Sequence, residues 1–189
     1  SIHILDEDLT HKAKQRMQAI GLVFQDAETQ IVGQTVEKDI RFGMENLGLP
    51  KEVQENRLEE VLALLDLHKQ RNQRPRTLSG GEKRRLAIAG LLVMDPRLLV
   101  LDEPFANLDY RSVVSVLSTL LRLQKAGHTI ILVSHEVDKT LAHADHVLLL
   151  DDGHLVQSGT AVDVYPHLAS HGIYLPSSAG IEELSWLKR

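Results

Sequence analysis

The run Leu98-Leu99-Val100-Leu101-Asp102-Glu103 constrains this chain more than any other stretch. Four consecutive apolar residues, opened by Pro96-Arg97 and stopped by two carboxylates, read as a strand buried on both faces, as strands inside parallel sheets are. Ligands of open α/β sheets bind in the crevice beyond the carboxyl ends of the strands, so Asp102 and Glu103 stand where a ligand would lie. Alone, an apolar run ending in an acid is an ordinary polar strand terminus, and its company decides the matter. Val113, Val116, Leu117, Leu120 and Leu121 form one apolar helical stripe ended by Gly127, and Thr129 to Val133 is a second buried strand. Leu98 to Val133 therefore reads as one βαβ unit with parallel strands and a right-handed crossover. Its second strand ends in Ser134-His135-Glu136, and an earlier strand, Ile20 to Phe24, ends in Gln25.

Composition narrows the classes. A chain of 189 residues, 43% hydrophobic, suits one sizeable domain better than two. Its 21 basic and 26 acidic residues, net charge −5, argue against a wide nucleic-acid-binding face. With no cysteine there are neither disulfides nor thiolate metal sites. The longest apolar run, Leu86 to Met94, falls well short of the roughly 18 residues of a membrane span, so any membrane role is peripheral. Ser1 opens no signal-peptide pattern and reads as a cut end.

Elsewhere, Ser1 to Leu9 reads as an edge-strand remnant and Lys12 to Gln18 as helix-prone. From Thr35 to Leu67 the period is helical, with Leu58, Val61, Leu62 and Leu65 on one face and Pro50 where a helix begins. Lys69 to Arg76 is a basic connector leading into Thr77-Leu78-Ser79-Gly80-Gly81-Glu82, and Lys83 to Met94 is a helix stopped by Asp95-Pro96. Val137 to Ala142 reads as a short helix. Val147 to Leu150 and His154 to Gln157 form a hairpin about Asp151-Asp152-Gly153. Beyond Gly159, Pro166, Pro176 and Ser177-Ser178-Ala179-Gly180 argue for a loosely packed extension. Lys83, Arg84 and Arg85 read as a solvated helix face. His143, Asp145 and His146 read as a helix-to-strand junction rather than metal ligands, and Trp186 as a packing residue.

The polar strand ends Gln25, Asp102 with Glu103, and His135 point the same way. Ser79-Gly80-Gly81 opens a helix, which presents backbone N–H groups and the helix dipole to an anion. A phosphate ligand with a metal accounts for both. Asp102 would hold Mg²⁺ through water, Glu103 would polarise an attacking water, and His135 would bond the terminal phosphate.

In this order the residues resemble the nucleotide-binding subunit of ABC transporters. Leu78 to Glu82 resembles the signature motif, Leu98 to Glu103 the Walker B strand with the catalytic glutamate, and Ala106 to Asp109 the D-loop. His135 resembles the switch histidine and Gln25 the Q-loop glutamine. The resemblance implies an α/β P-loop NTPase core with a parallel sheet, a partial ATPase domain over 1–165 with a helical subdomain at about 35–94, and an extension at 166–189. It implies ATP and Mg²⁺, with Glu103 and His135 catalytic and Gln25, Ser79, Gly80, Gly81, Glu82 and Asp109 at the nucleotide; Asp102 and Gln25 serve the metal through water. It also implies a head-to-tail dimer with a second ATPase subunit, the same or different, at the cytoplasmic face of a membrane, and no nucleic acid. Gly21 to Asp26, Gln34 to Pro50 and the run from Gly159 to Pro176 are similar to the ATPases of energy-coupling-factor importers, which take up cobalt, nickel and vitamins. By that likeness Asp26 to Val36 faces the membrane subunit. The alternative is a non-transport ABC ATPase, or a passive subunit that supplies only the signature half-site.

Two departures stand out, besides a Phe105 for which the sequence offers no account. Glu82 occupies a position usually held by Gln, adding a negative charge near phosphates. A P-loop, G-x-x-x-x-G-K-[ST], is missing: Gly43 and Gly48 have the glycine spacing, but Leu49-Pro50 follows. The resemblance thus implies the larger carboxyl-terminal part of such a subunit, lacking the phosphate-gripping loop with its strand and helix. The 189-residue polypeptide is expected to bind ATP poorly; a titration giving micromolar affinity would contradict this.

Overall fold

The computed structural model describes residues 1–4, 7–175 and 180–187. They form two compact units, Ser1–Val133 and Ser134–Arg189.

The first unit opens with two short strands, β1 (His3–Ile4) and β2 (Glu7–Asp8), which pair antiparallel with each other. The expected edge strand is thus a separate ribbon, with Ile4, Leu9 and Ala19 packed beneath it. Helix α1 (Ala13–Ala19) runs directly into β3 (Ile20–Val23). Helices α2 (Val36–Asn46), α3 (Lys51–Leu64) and α4 (Gly80–Leu92) follow, then β4 (Leu98–Asp102), α5 (Tyr110–Lys125) and β5 (Thr129–Val133). The sheet order is β3-β4-β5, parallel throughout, with Val23 opposite Leu101 and Leu101 opposite Leu132. The βαβ reading of 98–133 holds in its parallel pairing.

Burial corrects the reading of β4 and β5 as strands covered on both sides. Along β3 and β4 the residues alternate, with Gly21, Val23, Leu99 and Leu101 buried. A Cβ on Gly21 would come within 3.3 Å of Leu91 Cβ, so α4 covers this face at close range. On the other face Leu22, Ile131 and Val133 are 40%, 47% and 52% exposed. An apolar run looks the same whether one face or two are covered, because covering comes from elements distant in sequence.

Thr35 caps α2 by accepting a hydrogen bond from Lys38 N, and Val36, Ile40 and Met44 bury one stripe of it. In α3, which starts after Pro50, Leu58, Val61 and Leu62 are buried, followed by Leu65. Arg71, in the connector before α4, bonds Glu37 of α2 and both Glu55 and Glu59 of α3; Arg41 adds bonds to Glu37 and Glu55. The N–H groups of Val36 and Glu37 at the start of α2 donate to the carbonyls of Gln73 and Arg71, so the connector itself satisfies that helix terminus. In α5, Leu123 and Thr119 join the buried stripe while Leu121 is half-buried.

After β4 the chain turns sharply. Glu103 has φ 43° and Asn107 φ 59°, conformations that cost a non-glycine residue about 1–3 kcal/mol, less for Asn. Phe105, between them, is 1% exposed, which supplies the missing account of this residue: it is a core anchor for the turn.

The second unit begins with 3₁₀ turns at Val137–Lys139 and Leu141–His143, where the sequence suggested one short helix. Strands β6 (Val147–Asp151) and β7 (His154–Gly159) form the expected hairpin. Helix α6 (Ala161–Leu168) follows, its terminus closed by a capping box between Thr160 and Asp163. Leu141, Leu149, Ala161, Val164, Leu168 and Leu184 form a small core, so 159–168 is packed, not loose. Helix α6 also crosses position 166, where the extension is expected to begin. Pro176 to Ala179 lie outside the described residues.

Replacing Phe105 by Ala leaves a cavity under the strained turn and should cost about 3–5 kcal/mol. A thermal or urea melt within 1 kcal/mol of the parent would contradict this role.

Candidate functional site

Parallel pairing carries the ends of β3, β4 and β5 to one edge of the sheet. Asp102 is opposite Val133, and Gln25 lies two residues beyond Val23. The structure therefore brings Gln25, Asp102 and Glu103 to the same edge, with Asp102 and Gln25 exposed and Glu103 half-buried. Glu103 N donates to Val133 O at 2.9 Å, so β5 holds the carboxylate's backbone. His135 follows β5 by two residues and belongs to the second unit. In that unit His143 Nε2 lies 2.6 Å from Ser185 Oγ and His146 Nε2 2.9 Å from Ser158 Oγ, two separate partners. Trp186 donates to Asp138 Oδ2 at 2.8 Å beneath the Lys139 ammonium.

The turn after β3 is fixed by an arginine assigned from sequence to the solvent. Arg84 is 3% exposed; its Nη1 donates to Phe24 O at 2.6 Å and its Nη2 to Gln25 O at 2.8 Å. Arg85 is 6% exposed and donates to Ser115 Oγ of α5. Only Lys83, paired with Glu28, lies partly in the open. Burial draws the pKa of both arginines down, and hydrogen bonds from their forked guanidiniums offset part of that cost. The available signal was the apolar run Leu86 to Ala89 just beyond them, which marks a helix buried on every side.

Residues 26–36 fold back on the same elements. Asp26 caps the turn Ala27–Gln30, and the Gln30 side chain bonds Phe24 N and Leu22 O, finishing the strand edge. Asp39 Oδ1 accepts from Val32 N and Gly33 N, both at 2.7 Å. A Cβ on Gly33 would lie 2.3 Å from Asp39 N, so only glycine permits this approach. A groove of about 590 Å³ lies here, lined by Glu28, Ile31, Gln34, Arg74 and Arg76 among others.

Ser79 to Glu82 opens α4 as a full capping box. Ser79 Oγ accepts from Glu82 N at 3.3 Å, and Ser79 N donates to Glu82 Oε2 at 2.7 Å. The Glu82 carboxylate thus turns back onto its own helix, where the sequence had it facing the nucleotide. Its other oxygen accepts from Gln70 Nε2 at 2.7 Å. Gly80 and Gly81 are the first two residues of the helix, so their N–H groups have no intrahelical acceptor and are left to an anion. A Cβ on Gly80 would meet Leu108 Cδ2 at 2.9 Å and one on Gly81 would meet Ser112 Cβ at 2.9 Å. The turn therefore rests against the loop that follows the carboxylates. In that loop Asp109 Oδ1 accepts from Ser112 N at 2.8 Å and caps α5.

The family model described as ABC transporter matches residues 1–106. The chain belongs to the ABC transporter family. It is 44% identical over 146 residues to the energy-coupling factor transporter ATP-binding protein EcfA of Methanocaldococcus jannaschii, covering 77% of this chain and 52% of that protein. To EcfA2 of Lactococcus lactis subsp. lactis it is 36% identical over 187 residues, 94% of this chain and 65% of the relative. A solved structure of cbiO1 from Clostridium perfringens, part of the ABC transporter complex cbiONQ, matches with a TM-score of 0.78 at 34% identity, covering 84% of this chain and 64% of that one. The chain spans between about half and two thirds of these relatives. Its three-stranded parallel sheet with helices 36–92 inserted between β3 and β4 is consistent with the ABC ATPase core.

Among the described residues no helix is long and apolar enough to cross a membrane. The donor set suits the ligands such an ATPase takes. Carboxylate oxygens at Asp102 and Glu103 are what Mg²⁺ prefers, and the Gly80 and Gly81 N–H groups with Ser79 Oγ suit a phosphate. Gln70 and Ser112, neither singled out from sequence, respectively bond Glu82 and pack on Gly81, and Arg84, expected in solvent, holds the backbone of Gln25.

Burial pushes the Glu82 carboxyl up, but bonds from Ser79 and Gln70, with the nearby Arg85 charge, hold it below the ordinary 4.5. Its contribution is therefore complete above pH 4.5 and lost as pH falls through the lower folded value. The wild-type chain should lose more stability than Glu82→Gln between pH 5 and 3; parallel losses would contradict the capping role.

Proposed function

We propose that this chain forms part of an ATP-binding and ATP-hydrolysing subunit of an importer, coupling hydrolysis to uptake of a metal ion or vitamin through a membrane partner. The observation that carries the reading is the packing of the signature turn against the loop after the paired carboxylates and the start of α5, Gly80 on Leu108 and Gly81 on Ser112. The transporter role is supported by relatives that are named as energy-coupling factor transporter ATP-binding proteins. In this reading residues 1–165 serve the ATPase, with a helical subdomain at about 35–94, and 166–189 form an extension.

The chemistry follows from the groups at the sheet edge. Glu103 takes the proton of the water that attacks the γ-phosphate. Asp102 would hold Mg²⁺ through a water, and Gln25 would orient the metal and its water. Mg²⁺ supplies charge neutralisation to the phosphates. His135 donates to the γ-phosphate. Ser79 Oγ and the N–H groups of Gly80 and Gly81 bond the γ-phosphate of ATP held by a second subunit, the same or different, arranged head to tail. Asp109, at the start of α5, lies at that subunit contact. Residues 26–36 and the groove beside them receive the membrane subunit at the cytoplasmic face, and no nucleic acid is involved.

In the assembled ATPase, Glu103→Gln should leave ATP binding within about twofold and lower turnover at least a hundredfold, since it keeps size and removes the base. Unchanged single-turnover hydrolysis would overturn the assignment.

A further inference from the structure

Gln70 has no part in the motifs that identify the family, yet it touches the signature turn through a single charged acceptor. Its Nε2 donates to Glu82 Oε1 at 2.7 Å, while Glu82 Oε2 accepts from Ser79 N at 2.7 Å. One carboxylate thus joins the connector before α4 to the backbone of the residue that caps α4.

The amide is oriented at a cost. A carboxylate only accepts hydrogen bonds, so Gln70 must turn its NH₂ toward Glu82. Its own Oε1 is then left buried, with no hydrogen-bond partner among the described residues. Buried amide oxygens are seldom stranded in this way, and the bond to Glu82 is what holds this one.

Gln70 also stands on a fixed base. Its N–H donates to the carbonyl of the fully buried Leu67 and its carbonyl accepts from Gln73 N. The next residue, Arg71, bonds Glu37, Glu55 and Glu59 with its side chain and accepts from Glu37 N with its carbonyl. Helix α2, which carries Glu37, begins where residues 26–35 end. The chain of bonded groups runs from that segment through Arg71 and Gln70 to Glu82 and Ser79.

We propose that Gln70 is a positioning residue for nucleotide contact: acting through Glu82, it sets the direction of Ser79 and of the free N–H groups of Gly80 and Gly81. This rests on the reading of the signature turn as a contact to ATP in the second subunit. Gln70 touches no nucleotide and acts only through Glu82. Glu82→Gln keeps the arrangement, because its Oε1 accepts from Ser79 N and its NH₂ donates to the stranded Gln70 Oε1.

Reversing the pair tests the proposal. Gln70→Glu sets two carboxylates face to face, and Gln70→Met removes the donor without adding charge. The double variant Gln70→Glu with Glu82→Gln rebuilds the bond with donor and acceptor exchanged. Amide hydrogen exchange at Ser79 is followed by NMR in this chain, and kcat and KM for ATP are measured in the assembled transporter. Both single variants should speed Ser79 exchange at least tenfold and lower kcat about tenfold, with KM within twofold, while the double variant returns both to within twofold of wild type. Wild-type exchange and kcat in Gln70→Met, or a loss in Gln70→Glu that the double variant does not recover, would overturn the proposal. Ser79→Arg, which fills the turn, separates the two levels: if it hydrolyses ATP normally the reading of the turn itself is wrong, and if it is inactive while Gln70→Met is normal only the role of Gln70 is wrong.

Discussion

The first unit depends on a helix that is buried on almost every side. Helix α4 packs on the sheet, on α2 and α5, and on the turn at 27–30, and its interior run Arg84 to Ala89 is buried throughout. A helix in that position cannot expose a polar face, so the two arginines inside it must find acceptors. Arg84 finds the carbonyls that end β3, and Arg85 a hydroxyl on α5. The same helix that presents Ser79, Gly80 and Gly81 at its start therefore also fixes the backbone of Gln25. Two parts of the site that lie far apart in sequence are held by one rigid element.

A second constraint acts at the carboxylates. Glu103 is held in a left-handed conformation that its side chain does not favour. Burial of Phe105 and the bond from Glu103 N to Val133 O oppose the strain. Strain of this kind persists where surrounding packing over-determines it, and such positions cluster at functional sites. The turn and the start of α5 also bring Leu108 and Ser112 against the two signature glycines, leaving little room for a side chain at Gly81. The small residues of the motif thus serve a packing need of this fold.

Much of the site was legible because its chemistry is written in contiguous segments. Apolar runs ending in Gln25, Asp102 and His135 marked strand ends, and the serine-glycine-glycine turn marked a helix start; the parallel pairing and the capping box agree with both. Three readings failed for one reason. Local pattern places Arg84 and Arg85 in solvent, β4 and β5 under cover on both faces, and 159–168 in a loose extension; the structure buries the arginines, leaves one sheet face exposed and packs 159–168. In each case burial is set by partners remote in sequence, which local pattern does not register. Glu82 was read as facing the nucleotide because spacing gives a side chain's position but not its rotamer.

The sequence by itself determined the kind of groups on offer: two carboxylates at a strand end, a helix start with N–H groups open to an anion, and a motif order that resembles an ABC ATPase. The first two follow from residue type and local period and the third from resemblance to a family, none of which tertiary contacts alter. Only the tertiary structure decided what each charge faces. Arg84 clamps the turn after β3 and Glu82 turns back to Ser79 and Gln70, because a charged group near or inside a core must take the partner that folding brings to it.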